Sequence, residues 1–221
     1  RIKMGFLCLR VDLDYVPWDS PDAHDFGHGE PAAVLRLLEL ARHLGIRLHA
    51  FASNRAMRAF PALPEALLGE GHDLDWFCKK PEEAESRFAQ ALDLMGDFGA
   101  SPLGMCLRAP WPSDALPEPL ARVLRFVSAP GPQTLKGVRC FPVETRTDRE
   151  AIRGGLSARA WTDASKAAVR DAAARDRELT LVVRPQVLAK FDPKLAHLRE
   201  VLEMARAVDL PYRTLRQALQ P

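Results

Sequence analysis

The chain has 221 residues, 47% of them hydrophobic, which is enough apolar material for one domain with a sizeable core. Its 31 basic and 29 acidic residues are well mixed and leave a formal charge of +2, so electrostatics give no ground for a nucleic-acid or anionic-membrane partner. Four cysteines without a close zinc spacing read as reduced thiols. The opening Arg-Ile-Lys-Met, before an apolar run that Arg10 interrupts, is too short for a membrane span and unlike a signal peptide, which predicts a cytoplasmic protein.

In chain order, Gly5 to Val11 reads as a buried strand, with Asp12 and Asp14 on one face of its end and Pro17 as its stop. A polar loop from Asp19 to Gly29 carries His24 and His28. A helix then opens near Glu30-Pro31 and stops at Gly45. Leu48 to Ala52 is a second strand, Pro61 to Gly69 a short helix, and Gly71 to Phe77 a third strand by its alternation. Pro81 to Phe98 is the clearest helix, with glutamates in its first turns and Phe88, Ala91, Leu92 and Met95 on one stripe. Leu103 to Leu107 is a fourth strand that ends at Arg108-Ala109-Pro110-Trp111. A helix over Leu116 to Leu124 precedes strands at Arg125 to Ser128 and Val138 to Val143. Asp163 to Arg177 is helical, Leu179 to Val183 a seventh apolar run, and Pro193 to Val208 a helix, with a short helical end after Tyr212.

Strands that alternate with helices at this spacing pair in parallel through right-handed crossovers. The fold class is therefore α/β, a distorted (β/α) barrel of about seven parallel strands in a single domain over residues 1–221. Chemistry in such barrels collects at the carboxyl ends of the strands. Asp12/Asp14, Trp76/Phe77/Cys78, Arg108/Trp111 and Arg184 all fall there. Two carboxylates as close as Asp12 and Asp14 repel, so a cation, a metal ion or a shared proton belongs beside them.

These strand ends, in this order, resemble the polysaccharide deacetylase family, carbohydrate esterase family 4, over nearly the whole chain from about Gly5 to Leu219. The resemblance implies a general base at Asp12 and a metal ligand at Asp14, separated here by Leu13 where the family more often has the two adjacent. Gly71-His72-Asp73 aligns with the second motif, but the two histidine ligands that follow it fall on Phe77 and Lys80. Arg108-Ala109-Pro110 matches a motif whose Arg pairs with the base. Leu181-Val182-Val183-Arg184-Pro185 stands where the family has Leu-x-His-Pro, so the general-acid position is Arg184. Phe77 has no donor atom, a Lys ammonium binds no metal, and a guanidinium gives up no proton at pH 7.

The family hydrolyses amide bonds of N-acetylated sugars with a divalent ion. This chain is expected to be a protein of that kind with lost or altered catalysis, or a non-catalytic carbohydrate- or anion-binding protein on the same barrel. The candidate site comprises Asp12, Arg108 and Arg184 as catalytic positions. Tyr15, Trp76, Lys80 and Trp111 contact ligand, with Lys80 reaching Asp14 and Arg108 pairing with Asp12. No cofactor is expected. Zinc would bind only through Asp14 and relocated ligands such as His28, Asp75 or Cys78. The expected partner is a small-molecule or carbohydrate ligand, neutral or anionic.

Overall fold

The first strand, β1 (Phe6–Leu13), is buried along its whole length, Arg10 and Asp12 included. Strands enclosed on both faces are the mark of parallel sheets covered by helices. The computed structural model describes residues 5–14 and 30–220. The remaining strands are β2 (His49–Ala52), β3 (Asp73–Cys78), β4 (Gly104–Leu107), β5 (Phe126–Pro130), β6 (Arg139–Val143) and β7 (Glu178–Val183). The fold class is the expected one, a (β/α) barrel-like fold of seven parallel strands alternating with helices. Within it the chain divides into two units.

Of the described residues, the first unit holds 5–11, 30–48 and 145–220. In it β1 and β7 run parallel, with Phe6 opposite Glu178 and Val11 opposite Val183. Its helices are α1 (Glu30–Leu44), α6 (Asp148–Arg153), α7 (Ala158–Arg175), α8 (Pro185–Phe191), α9 (Ala196–Ala207) and α10 (Leu215–Ala218). α7 packs on α9 and α1 on α8. Trp161 of α7 meets the Phe191 ring edge-on at 6.0 Å.

The second unit holds residues 12–14 and 49–144. β2 through β6 pair in sequence order, all parallel. Its helices are α2 (Asn54–Ala59), α3 (Ala62–Gly69), α4 (Ala84–Asp97) and α5 (Glu118–Val123), with a 3-10 turn at Pro81–Glu83 before α4. Phe51, Phe126 and Phe141 form a chain of edge-on rings in its core. Beside them His49 and Asp75, both fully buried, share a 2.8 Å hydrogen bond. The other Asp75 oxygen accepts the backbone N–H groups of Leu103 and Gly104, which pins the start of β4 to β3.

The structure moves several boundaries for local reasons. β1 runs two residues beyond Val11, so Asp12 lies inside the strand. Helix α7 opens at Ala158, five residues before the expected Asp163, because Ser157 caps it by accepting the Ala160 N–H. Helix α9 starts at Ala196 where Pro193 was expected, since Leu195 adopts a left-handed conformation with φ 53°. Three short helices, α2, α6 and α8, lie outside the elements read from the chain. Their start signals were present in Ser53, in the Thr147/Glu150 capping box and in Pro185 as the first helical residue.

Candidate functional site

The end of β1 places Asp12 and Asp14 differently. Asp12 is a strand residue with 0% exposure, and the thiol of Cys106 on β4 lies 3.7 Å from its Oδ1. The Leu13 carbonyl accepts the Ser53 N–H at 3.0 Å, which ties this end of β1 to the start of α2. Asp14, one residue past the strand, is half-buried. Register places Cys106 opposite Phe77 and Leu107 opposite Cys78, so Arg108 leaves β4 just past the end of β3.

The Arg108 guanidinium ion-pairs with Asp14, the carboxylate that the resemblance assigns to the metal, whereas the expected partner was Asp12. The side chains are 18% and 12% exposed, so little water screens the pair. The guanidinium also stands over the Phe77 ring, 5.3 Å from its centroid. Phe77 fills an expected metal-ligand position, and there it forms the apolar seat of a cation. Asp14, Arg108 and Phe77 thus make one unit in which a fixed guanidinium supplies the positive charge beside the carboxylate.

Two of the expected ligand-contacting residues are placed elsewhere. Lys80 is 54% exposed and pairs with Glu83 at 3.7 Å, one turn along its own segment, so it does not supply the charge beside Asp14. Trp76 is fully buried against Phe88, and its indole N–H donates to Asn54 at 2.8 Å, so it offers no stacking platform. Trp111 is half-buried, its indole N–H shared between the Ala115 carbonyl and the Ser113 hydroxyl. Tyr15, like Trp18, His24 and His28, lies outside the described residues.

Arg184 follows β7 in the first unit and is buried. Its backbone N–H donates to Asp148 Oδ2 at 2.8 Å, and Asp148 is itself fully buried at the start of α6. Asp148 and Cys106 were not picked out from the sequence. The capping box that opens α6 was the available signal for Asp148, whereas a lone buried cysteine gives none.

The described residues do not fit a divalent ion in the family position. Asp14 is engaged by Arg108, Phe77 has no donor and Lys80 faces solvent. Of the relocated candidates, Asp75 is committed to His49 and two backbone donors. Burial pushes the Cys78 thiol up to about 11, and its S–H donates to the Lys80 carbonyl, so it resists becoming a thiolate ligand. Among the described residues no group of three or more His, Cys, Asp or Glu is placed to hold a metal.

No family model and no curated protein sequence matches this chain. Solved structures do. A putative polysaccharide deacetylase from Mycobacterium smegmatis superposes with a TM-score of 0.74 at 14% identity, over 97% of this chain and 88% of that one. The fold is that of the polysaccharide deacetylases. An allantoinase superposes with a TM-score of 0.75 at 14% identity, over 98% and 90% of the two chains. A CE4 family pseudoenzyme from Bacillus anthracis gives 0.60 at 7% identity, over 98% and 66%. The deacetylase fold is therefore shared by proteins described as a deacetylase, an allantoinase and a pseudoenzyme, and the chemistry of this chain must be argued from its own side chains. None of its described helices is long and apolar enough to cross a membrane.

Proposed function

We propose that this chain is a ligand-binding protein on the polysaccharide deacetylase fold, in which metal-dependent hydrolysis of N-acetylated sugars has been lost. The observation that carries this reading is the Asp14–Arg108 ion pair seated on Phe77. Hydrolysis on the family plan needs Asp14 free to ligate a metal. Here a metal would have to displace a guanidinium that is largely shielded from water, which leaves two cations side by side in a low-dielectric place. The acid position is also unsuited to its task, since Arg184 has no proton to give a leaving amine at neutral pH. The substituted positions supply aromatic and guanidinium groups, which suit recognition better than turnover. The expected ligand is a small molecule or carbohydrate bound near the strand end at Asp14, with Trp111 on the rim.

The test is to incubate the protein with zinc, cobalt or nickel, remove free ion by desalting, and measure bound metal and acetate release from acetylated chitooligosaccharides. The expected result is no stoichiometric metal and no acetate. Stoichiometric metal that is lost in Asp14→Ala, together with acetate release, would overturn the reading in favour of a hydrolase with relocated ligands.

A further inference from the structure

Helices α2 and α4 of the second unit enclose a cleft of about 320 Å³ lined by Asn54, Arg55, Arg58, Ala59, Arg87 and Gln90. We propose that this cleft is a binding site for an anionic ligand group, a carboxylate or a phosphate carried by a small molecule. The volume lies at the small end of ligand pockets. The proposal stands apart from the catalytic status of Asp14.

The lining offers donors and no carboxylate. Three arginines from two helices line the cleft, and only Arg87 has an acidic partner among the described residues, Glu83 at 2.8 Å. The cleft therefore keeps a surplus of two positive charges. Like charges one turn apart weaken a helix, and Arg55 and Arg58 are such a pair on a helix of six residues. Arg58 has a local reason to be there, because a cation in a last turn faces the helix carbonyls. Arg55 has none, because it sits in the first turn, where the helix disfavours a cation, and no acid offsets it there. An anion between the guanidiniums would relieve both penalties.

The floor of the cleft is oriented by a chain of hydrogen bonds whose direction chemistry dictates. The Trp76 indole N–H can only donate, so Asn54 must present its Oδ1 to it. That turns Asn54 Nδ2 toward the Arg87 carbonyl at 3.2 Å and Gln90 Oε1 at 3.1 Å. With Oε1 so engaged, Gln90 presents its NH2 group as one more donor at the cleft. Buried and fully bonded, Asn54 thus fixes the second neutral polar group of the lining, Gln90, as a donor. Arginine forks match carboxylate and phosphate oxygens in pairs, and a neutral hydroxyl gains nothing comparable from them.

The test is calorimetric titration of the full chain with trigalacturonate, inorganic pyrophosphate and neutral galactotriose at low and high salt. At least one anion is expected to bind with Kd below about 1 mM and to weaken with salt, while galactotriose does not bind. Preference for trigalacturonate assigns a carboxylate ligand, and preference for pyrophosphate a phosphate. The double variant Arg55→Gln with Arg58→Gln should weaken anion binding by about tenfold or more. Arg122→Gln, on the exposed face of α5, should leave it unchanged. Gln90→Glu keeps an oxygen for Asn54 but replaces the donor with a charge, so it should abolish binding while the melting temperature is held or raised by the new carboxylate among the arginines. Absence of binding by both anions, or undiminished binding in the double variant and in Gln90→Glu, would overturn the proposal.

Discussion

Asp14, Arg108 and Phe77 place a fixed cation beside the carboxylate that the resemblance assigns to a metal. A guanidinium held by a carboxylate on one side and an aromatic face on another keeps its charge at every accessible pH, whereas a metal can be lost or exchanged. The pair is only slightly exposed, so breaking one side leaves a poorly solvated charge behind. Asp14→Ala or Arg108→Ala should each lower stability by about 2–4 kcal/mol, short of the roughly 3–5 kcal/mol for a wholly buried pair. The double variant should cost less than the sum by about 1–3 kcal/mol, as residues in direct contact do. Urea denaturation of the four proteins measures this coupling. A value near zero would remove the argument that Arg108 stands in for the ion. The resemblance put Phe77 and Lys80 at ligand positions, and the residue types there pointed to Lys80 as the cation beside Asp14, whereas the structure places Arg108 there. Lys80 stands at an expected ligand position in sequence, yet its flexible stem finds Glu83 and solvent.

At the scale of elements, β4 shows how closely the strands of the second unit are fitted. It begins at Gly104, and a Cβ built there would lie 2.2 Å from the Phe126 ring of β5. That ring is fully buried and packs edge-on with Phe51 and Phe141, so it has nowhere to move. Gly104→Ala should therefore destabilise by about 1–3 kcal/mol through overpacking. Phe126→Leu introduced beside it should recover part of the loss, which a comparison of urea midpoints reads directly. A clash with no rescue would mean that the backbone amide held by Asp75, rather than the ring, sets the need for glycine. The strands themselves were legible as apolar runs with helical stretches between them. The short helices were not, because six or seven residues carry less than two turns of periodicity and only their caps betray them.

At the largest scale, residues 210–215 are tied to β1 within the first unit. Leu7 of β1 donates its N–H to the Pro211 carbonyl at 2.8 Å and accepts the Arg213 N–H at 3.0 Å. Leu210 and Leu215 are buried in the same unit, and the Tyr212 hydroxyl bonds the Leu202 carbonyl of α9. Deleting residues 209–221 uncovers two leucines, each contributing about 1.5–3 kcal/mol by burial. The variant should lose about 3–6 kcal/mol, a large part of the 5–15 kcal/mol that holds a typical domain together. A denaturation midpoint equal to that of the intact chain would show that the tail is not part of the fold's stability.

The sequence by itself determined the alternation of strands and helices, the seven-stranded α/β class, and the residue types Phe77, Lys80 and Arg184 at the positions that the resemblance assigns to metal ligands and acid. Those follow from residue type and local period, which a chain carries wherever its segments end up. Only the tertiary structure decided which carboxylate Arg108 takes, that Trp76 is buried with its N–H on Asn54, and that three arginines of α2 and α4 share a cleft. Arg108 and Asp14 are 94 residues apart, and their meeting depends on the register of strands between which no local signal passes. Partner choice for a charged side chain is settled by geometry and shielding from water, and neither exists until the strands have assembled.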